Sequence, residues 1–206
     1  MNILAIGPHP DDIEFGCGGT LLKYVAAGHK VFLFVLTDGC FGGDPRTRKE
    51  EQEKASKFLK ASGLYWGEYA DTELVSSGDR ELIKKLEKVI REVKPDVVFL
   101  NYPEDTHQDH RAAAAAGISA TRYIKEVLFY EVPTTRHFEP EIFVDIRTVL
   151  KKKLQLIGVH ASQVNRTRVE NLSILESVQS CANFRGYQGR VKYAEGFKAL
   201  RVLRDI

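Results

Sequence analysis

"NILAIGPHPDDIEFGCGG" occupies Asn2–Gly19. Its first half, Asn2–Ile6, is a short apolar run of the kind that forms a buried strand. Gly7, Pro8 and Pro10 then break the chain, and a run rich in glycine and apolar residues leads into a helix. A strand handing over to a helix through a tight turn is the first unit of many α/β proteins, and the helix N-terminus there usually receives an anion. Here the turn carries His9, Asp11, Asp12 and Glu14 instead. No G-x-G-x-x-G is present, and two adjacent aspartates would repel a pyrophosphate. A dinucleotide-binding reading is therefore excluded. Asp11 and Asp12 each suit an Asx turn or an N-cap, but two neighbouring carboxylates repel one another and favour a cation.

Outward from this turn, the alternation continues. "GTLLKYVAAG" reads as a helix closed by Gly28, and Val31–Leu36 as a second buried strand. "RTRKEEQEKASKFLKASG" reads as an amphipathic helix with Ala55, Phe58 and Leu59 inward and Gly63 as its stop. Leu64–Tyr69 is a third strand. Asp79 is placed to cap "RELIKKLEKVIREVK", with Pro95 just beyond it. Val97–Leu100 is a fourth strand and Ala112–Tyr123 the next helix. This rhythm predicts a Rossmann-like, doubly wound, mostly parallel sheet. The last third changes character. "EVLFYEV" and "EIFVDI" are expected as strands, antiparallel to one another, followed by helices near 148–159 and 168–179. With no linker and no repeat, residues 1–206 are expected to form one domain with a C-terminal elaboration of short strands and helices.

Composition narrows the function classes. A chain of 206 residues with 43% apolar residues and a net charge of +2 is an ordinary globular composition. It has no basic block for nucleic acid and no apolar run of membrane-spanning length. Three cysteines without a CxxC pair fit a reducing compartment. A cytoplasmic location is expected, with no membrane or nucleic-acid partner.

The polar residues that carry chemistry gather in two loops. His9, Asp11 and Asp12 follow the first strand. "NYPEDTHQDH", Asn101–His110, follows the fourth and holds Asp105, His107, Asp109 and His110. In the common doubly wound order strands 1 and 4 are neighbours at the switch point, so the two loops should face one another across a crevice. Imidazole and carboxylate are zinc ligands, and two histidines with one carboxylate leave a position for water. His9, one of the two aspartates, and one or both of His107 and His110 supply such a set. A spare carboxylate can act as general base and a spare histidine can stabilise an oxyanion.

At these residues the chain resembles a known family. "PHPDDIEFGCGG" and "HQDH" resemble the paired signatures of the PIG-L/LmbE zinc-dependent N-deacetylases. "RKEEQEKA" (48–55), "HASQV" (160–164) and "YAEGF" (193–197) resemble its further markers. In length and C-terminal segments the chain is most similar to the bacillithiol-pathway (BshB-like) members and their archaeal relatives. The resemblance implies removal of the N-acetyl group from an N-acetylglucosamine-containing small molecule. It implies one zinc per chain, with iron(II) as an alternative, bound by His9, Asp12 and His110. It further implies Asp11 as general base and later acid, His107 as the oxyanion stabiliser with Asp109 holding its ring, and Arg48 as a ligand of sugar hydroxyls. A homo-oligomer, up to a hexamer, is implied as well. Gln108 stands where relatives often carry proline.

Other residues read as structural. Asp105 is left as a turn cap and Glu14 as an orienting or paired group. Gly16, Gly18 and Gly19 are read as helix–strand packing sites, and His29, His137 and His160 as structural histidines. Glu195 is read as part of an ion-pair network. Arg48 has a competing reading as a solvated helix residue paired with Glu51, and Arg46 shares that ambiguity. A non-catalytic sugar- or metal-binding module is the alternative function. The aglycone would be chosen by loops such as Cys40–Pro45 and Pro133–Phe138.

Overall fold

In the computed structural model, which describes residues 1–76 and 79–203, strand β1 (Asn2–Gly7) lies inside a seven-stranded sheet. The elements follow in the order α1 (Asp12–Ala26), β2 (Lys30–Thr37), α2 (Pro45–Leu59), β3 (Gly63–Tyr69), α3 (Glu73–Ser76), α4 (Asp79–Val93), β4 (Val97–Asn101) and α5 (Gln108–Ala120). Then come β5 (Glu126–Tyr130), β6 (Ile142–Asp145), α6 (Leu150–Gly158), α7 (Ile174–Gln188) and β7 (Ala194–Arg201). The spatial order is β3-β2-β1-β4-β5-β7-β6. The first five strands are parallel.

Both faces of the parallel strands are covered, which is why they read as continuous apolar runs. In β1, Ile3 and Ala5 face a core shared with α1, α2, α6 and α7. Leu4 and Ile6 face the opposite core, with Leu82 and Leu86 of α4 and Ala113 and Ala116 of α5. Gly16 permits α1 to lie close to β5: a Cβ there would sit 2.0 Å from the ring of Tyr130.

The C-terminal third differs from expectation. β5 is the fifth parallel strand, paired with β4, and does not pair with β6. Between them lies β7, antiparallel to both. "AEGFKALR" shows no clean alternation because its first four residues are all buried, so period-2 reading passes over it. α7 begins later than expected because Ser173 and Glu176 form a capping box. α5 begins four residues early, since the His107 side chain accepts from Asp109 N–H at its N-terminus. α2 closes at Lys60, in the left-handed region at φ 61°, ahead of Gly63. Phe58, expected inward, is 40% exposed. α4 starts at Asp79, one residue before the expected Arg80, and the expected cap contact of the Asp79 side chain lies outside the described residues. No helix among the described residues is long and apolar enough to cross a membrane.

Candidate metal centre and active site

The strand order reverses between β1 and β4, and the polar loops meet at the carboxyl ends of these two strands. His9 lies in the turn after β1, Asp11 holds the N-cap position of α1 without a side-chain capping bond, and Asp12 is the first residue of that helix. Asp11 has φ 98°, a left-handed conformation that a non-glycine residue adopts at a cost of order 1 kcal/mol and that collects at functional sites. His107 caps α5, which places Asp109 and His110 in its first turn.

Three atoms form a nearly equilateral triangle. His9 Nδ1 lies 3.2 Å from Asp12 Oδ2 and 3.2 Å from His110 Nε2, and His110 Nε2 lies 3.3 Å from Asp12 Oδ2. Bonds of about 2.0–2.1 Å to a tetrahedral cation would place its ligand atoms roughly 3.3–3.4 Å apart. The triangle therefore fits one face of such a tetrahedron. Each imidazole is also backed by a carboxylate: His9 Nε2 is 3.2 Å from Asp109 Oδ2 and His110 Nδ1 is 3.0 Å from Asp105 Oδ2. This carboxylate support is what fixes the tautomer and orientation of a metal-binding histidine. Two other groupings are close enough to hold a cation, His9–His107–His110 and His9–Asp71–Asp109. In the first, the His107 Nδ1 is already taken by the Asp109 N–H (3.2 Å). In the second, Asp71 is engaged by the Thr37 hydroxyl and the Phe41 N–H, each at 2.9 Å.

The electrostatics agree with a cation site. Burial opposes charge on His9, yet Asp109 and Asp12 overcome it and raise the ring to about 9. Burial likewise opposes charge on His110, and Asp12 and Asp105 raise it to about 10. Asp12 is held well below the usual carboxylate range, because both imidazoles outweigh the cost of its burial. Without metal, then, the acidic cluster recruits protons as its cations.

Asp11 behaves differently. Burial pushes its carboxyl up to about 6, against the pull of Arg48. Arg48 is 5% exposed, which rules out the solvated-helix reading. Its guanidinium donates to Gly39 O (3.0 Å), Pro10 O (2.5 Å) and the Asp11 carboxylate (3.2 Å). Glu51 instead accepts from the Ser162 N–H and hydroxyl. Arg46 pairs with Glu50 at the surface. His107 is half-buried, stacked on His110 and edge-on to His9. Burial and the two neighbouring histidines push its ring below the ordinary value.

One expected pairing is corrected. The Asp109 carboxylate does not hold His107; it meets His9 Nε2 and accepts from the Thr72 N–H at 2.7 Å. The start of α5 turns Asp109 toward the β1 loop and leaves only its amide facing His107. Sequence reading also passed over two carboxylates. Asp105, set aside as a turn cap, backs His110. Asp71, 3.5 Å from His9 Nε2, follows β3 at the same edge of the sheet. Its position at a parallel strand's carboxyl end was the available signal.

Beside the triangle opens a pocket of about 240 Å³, reached by Asp11, Asp12, His110, His160, Ile157 and Arg166 among others. A larger depression between α6 and α7 brings together one carboxylate, Glu176, and no imidazole. Glu195 is remote from this chemistry. It accepts from the Gly19 N–H (2.7 Å) and the Thr20 N–H (2.6 Å) in α1 and pairs with buried Lys153. It stitches β7 and α6 onto α1.

A diacetylchitobiose deacetylase of Thermococcus kodakarensis is 29% identical over 95% of this chain and 82% of its own. The deacetylase YaiS of Escherichia coli K12, itself uncharacterized, is 36% identical over 70% of this chain and 82% of its own. The structure of N,N'-diacetylchitobiose deacetylase from Pyrococcus horikoshii superposes with a TM-score of 0.83 at 29% identity, covering 97% of this chain and 83% of that one. Residues 4–121, which contain both polar loops, match the profile described as GlcNAc-PI de-N-acetylase, and the chain belongs to that family, PIG-L.

Proposed function

We propose that the chain is a zinc-dependent hydrolase that removes the N-acetyl group from a small molecule containing N-acetylglucosamine, releasing acetate and a free amine. The observation that carries this reading is the His9–Asp12–His110 triangle with a carboxylate behind each imidazole. The substrates named for the two diacetylchitobiose deacetylases support the amino-sugar class. His9, Asp12 and His110 would hold one divalent ion per chain. Their nitrogen and oxygen donors suit zinc and are compatible with iron(II). β7, lying inside the same sheet as the parallel strands, supports a single domain. A homo-oligomer is proposed on the family resemblance.

The ion, when bound, polarises the acetyl carbonyl as a Lewis acid and makes water more acidic. The remaining steps fall to side chains. Asp11 is ionised at neutral pH and takes a proton from the attacking water at its carboxylate. It returns that proton to nitrogen as the C–N bond breaks, so the amine leaves neutral. Arg48 fixes the Asp11 carboxylate and the turn carbonyls, and its remaining N–H groups are proposed to meet sugar hydroxyls. His107 carries its proton on Nε2, because Nδ1 accepts the Asp109 N–H. That Nε2–H would donate to the carbonyl oxygen as negative charge develops.

The test is acetate release from N,N'-diacetylchitobiose by metal-loaded protein. Asp11→Asn should keep its metal and lose turnover by about 10²–10⁴-fold, whereas Asp12→Ala should lose the metal itself. Full activity in Asp11→Asn, or in chelator-stripped protein, would refute the mechanism. Sugar binding with no acetate from any N-acetyl sugar would favour a binding module.

A further inference from the structure

His160 follows α6 and is 1% exposed. Both of its ring nitrogens lack a hydrogen-bond partner, and so does Glu14 Oε2 beside it. The His160 Nε2 faces that oxygen at 3.6 Å, which leaves Nδ1 as the nitrogen with nothing opposite. The ring also lines the pocket that opens on Asp11, Asp12 and His110. A buried imidazole with an unanswered nitrogen is costly, and native proteins complete such groups with an ordered water, an ion or a ligand.

A chain of hydrogen bonds runs from the Asp11 turn to the residue that faces the ring. Asp11 N–H donates to Gln52 Oε1 (3.2 Å), and Gln52 Nε2 donates to Glu14 Oε1 (2.7 Å). The other oxygen of Glu14 faces His160. The imidazole therefore sits beside the network that ties down the turn of Asp11. Glu14 and Gln52 are both fully buried, so the arrangement has little freedom to swing away.

We infer that His160 is a substrate-binding residue whose Nδ1 takes a hydroxyl of the amino sugar, with Glu14 orienting the ring from behind. This rests on the reading of the pocket as an amino-sugar site. A hydroxyl is the group that suits this nitrogen in either protonation state, because it accepts from Nδ1–H and donates to bare Nδ1. The apolar pocket wall at Phe15, Ile157 and Ile174 would cover the less polar face of the ring.

The experiment measures binding of N-acetylglucosamine and its mono-deoxy analogues by calorimetry. It uses the metal-loaded full chain carrying Asp11→Asn to prevent turnover. One deoxy analogue should bind about tenfold more weakly than the parent sugar, the loss expected when a buried hydrogen bond goes unmade. His160→Gln, whose amide reaches toward Glu14, should weaken the parent sugar about tenfold and leave that one analogue unaffected. His160→Asn, whose amide sits near the Nδ1 position, should stay within about threefold of the parent protein. Metal content should be unchanged in both. If His160→Gln does not fold, the deoxy panel and His160→Asn still decide the matter. The inference is overturned if no single hydroxyl matters, if His160→Gln weakens all analogues equally, or if the sugar does not bind. Sugar binding with the expected pattern, but no acetate release by the unmodified chain, would sink the proposed reaction and leave this assignment standing.

Discussion

Loading the site with zinc should expel about two protons at pH 7. In the metal-free protein His9 is raised to about 9 and His110 to about 10, so both rings are charged at neutral pH. Binding a metal through His9 Nδ1 and His110 Nε2 requires both atoms to lose their protons. Two ordinary histidines of pKa about 6.5 would together release only about 0.5 proton at pH 7. The measurement is calorimetric titration of metal-free protein with zinc in buffers of different ionisation enthalpy, which counts protons directly. Competition against a chelator gives a second reading: affinity should rise about 100-fold per pH unit between pH 6.5 and 8.5, and less steeply above about 9. The sign for folding runs the opposite way. These raised values stabilise metal-free protein fully below about pH 6.5 and progressively less as pH climbs through about 9 and 10. Metal-free protein should therefore melt lower as pH rises over that window, while loaded protein should not follow it. Release of half a proton or less at pH 7 would refute the account of the triangle as a protonated stand-in for a cation.

Three further outcomes follow from particular contacts. Asp105→Asn removes the carboxylate behind His110; zinc affinity should fall about 10–100-fold, and unchanged affinity would show that Asp105 is only a turn residue. Gly16→Ala should gain about 1 kcal/mol in helix propensity. Its Cβ would nevertheless lie 2.0 Å from buried Tyr130, whose hydroxyl donates to Ile6 O at 2.8 Å. Overlap should win, with a net loss of about 2 kcal/mol and a melting temperature roughly 5 °C lower; a variant as stable as the parent would show that the helix moves freely off β5. Glu195→Gln leaves Lys153, 3% exposed, without its counter-charge. A loss of about 3–5 kcal/mol is expected in chemical denaturation, and a loss under 1 kcal/mol would dismiss the pair as a structural tie.

The parallel half of the sheet was legible because strands covered on both faces appear as short apolar runs, each ended by glycine, proline or a charged helix start. The C-terminal third was not. β7 contains Glu195 and Gly196, which count against a strand locally. Glu195 is tolerated there because Lys153 and two N–H groups of α1 surround it. α7 did carry a local mark in its Ser173–Glu176 capping box, which the periodicity reading passed over.

In the site, residue types and loop positions were enough to gather His9, Asp11, Asp12, His107 and His110 as candidates, because adjacent carboxylates beside histidines at strand ends have few uses that do not involve a cation. Arg48, Asp71 and Asp105 are different. An arginine in a charged helix and aspartates in loops have ordinary surface roles, and residue type alone does not separate the cases. Only the folded chain puts Arg48 against Asp11, Asp105 behind His110 and Asp109 behind His9 rather than His107. The same holds for His160, which lies far along the chain from Glu14 and meets it through the packing of α6 on α1. The sequence alone therefore determined the chemistry available at the β1–β4 crevice, since that depends on which functional groups the turns carry. Tertiary structure decided which carboxylate serves which histidine, since that depends on distances of about 3 Å between segments that only the packed sheet and helices bring together.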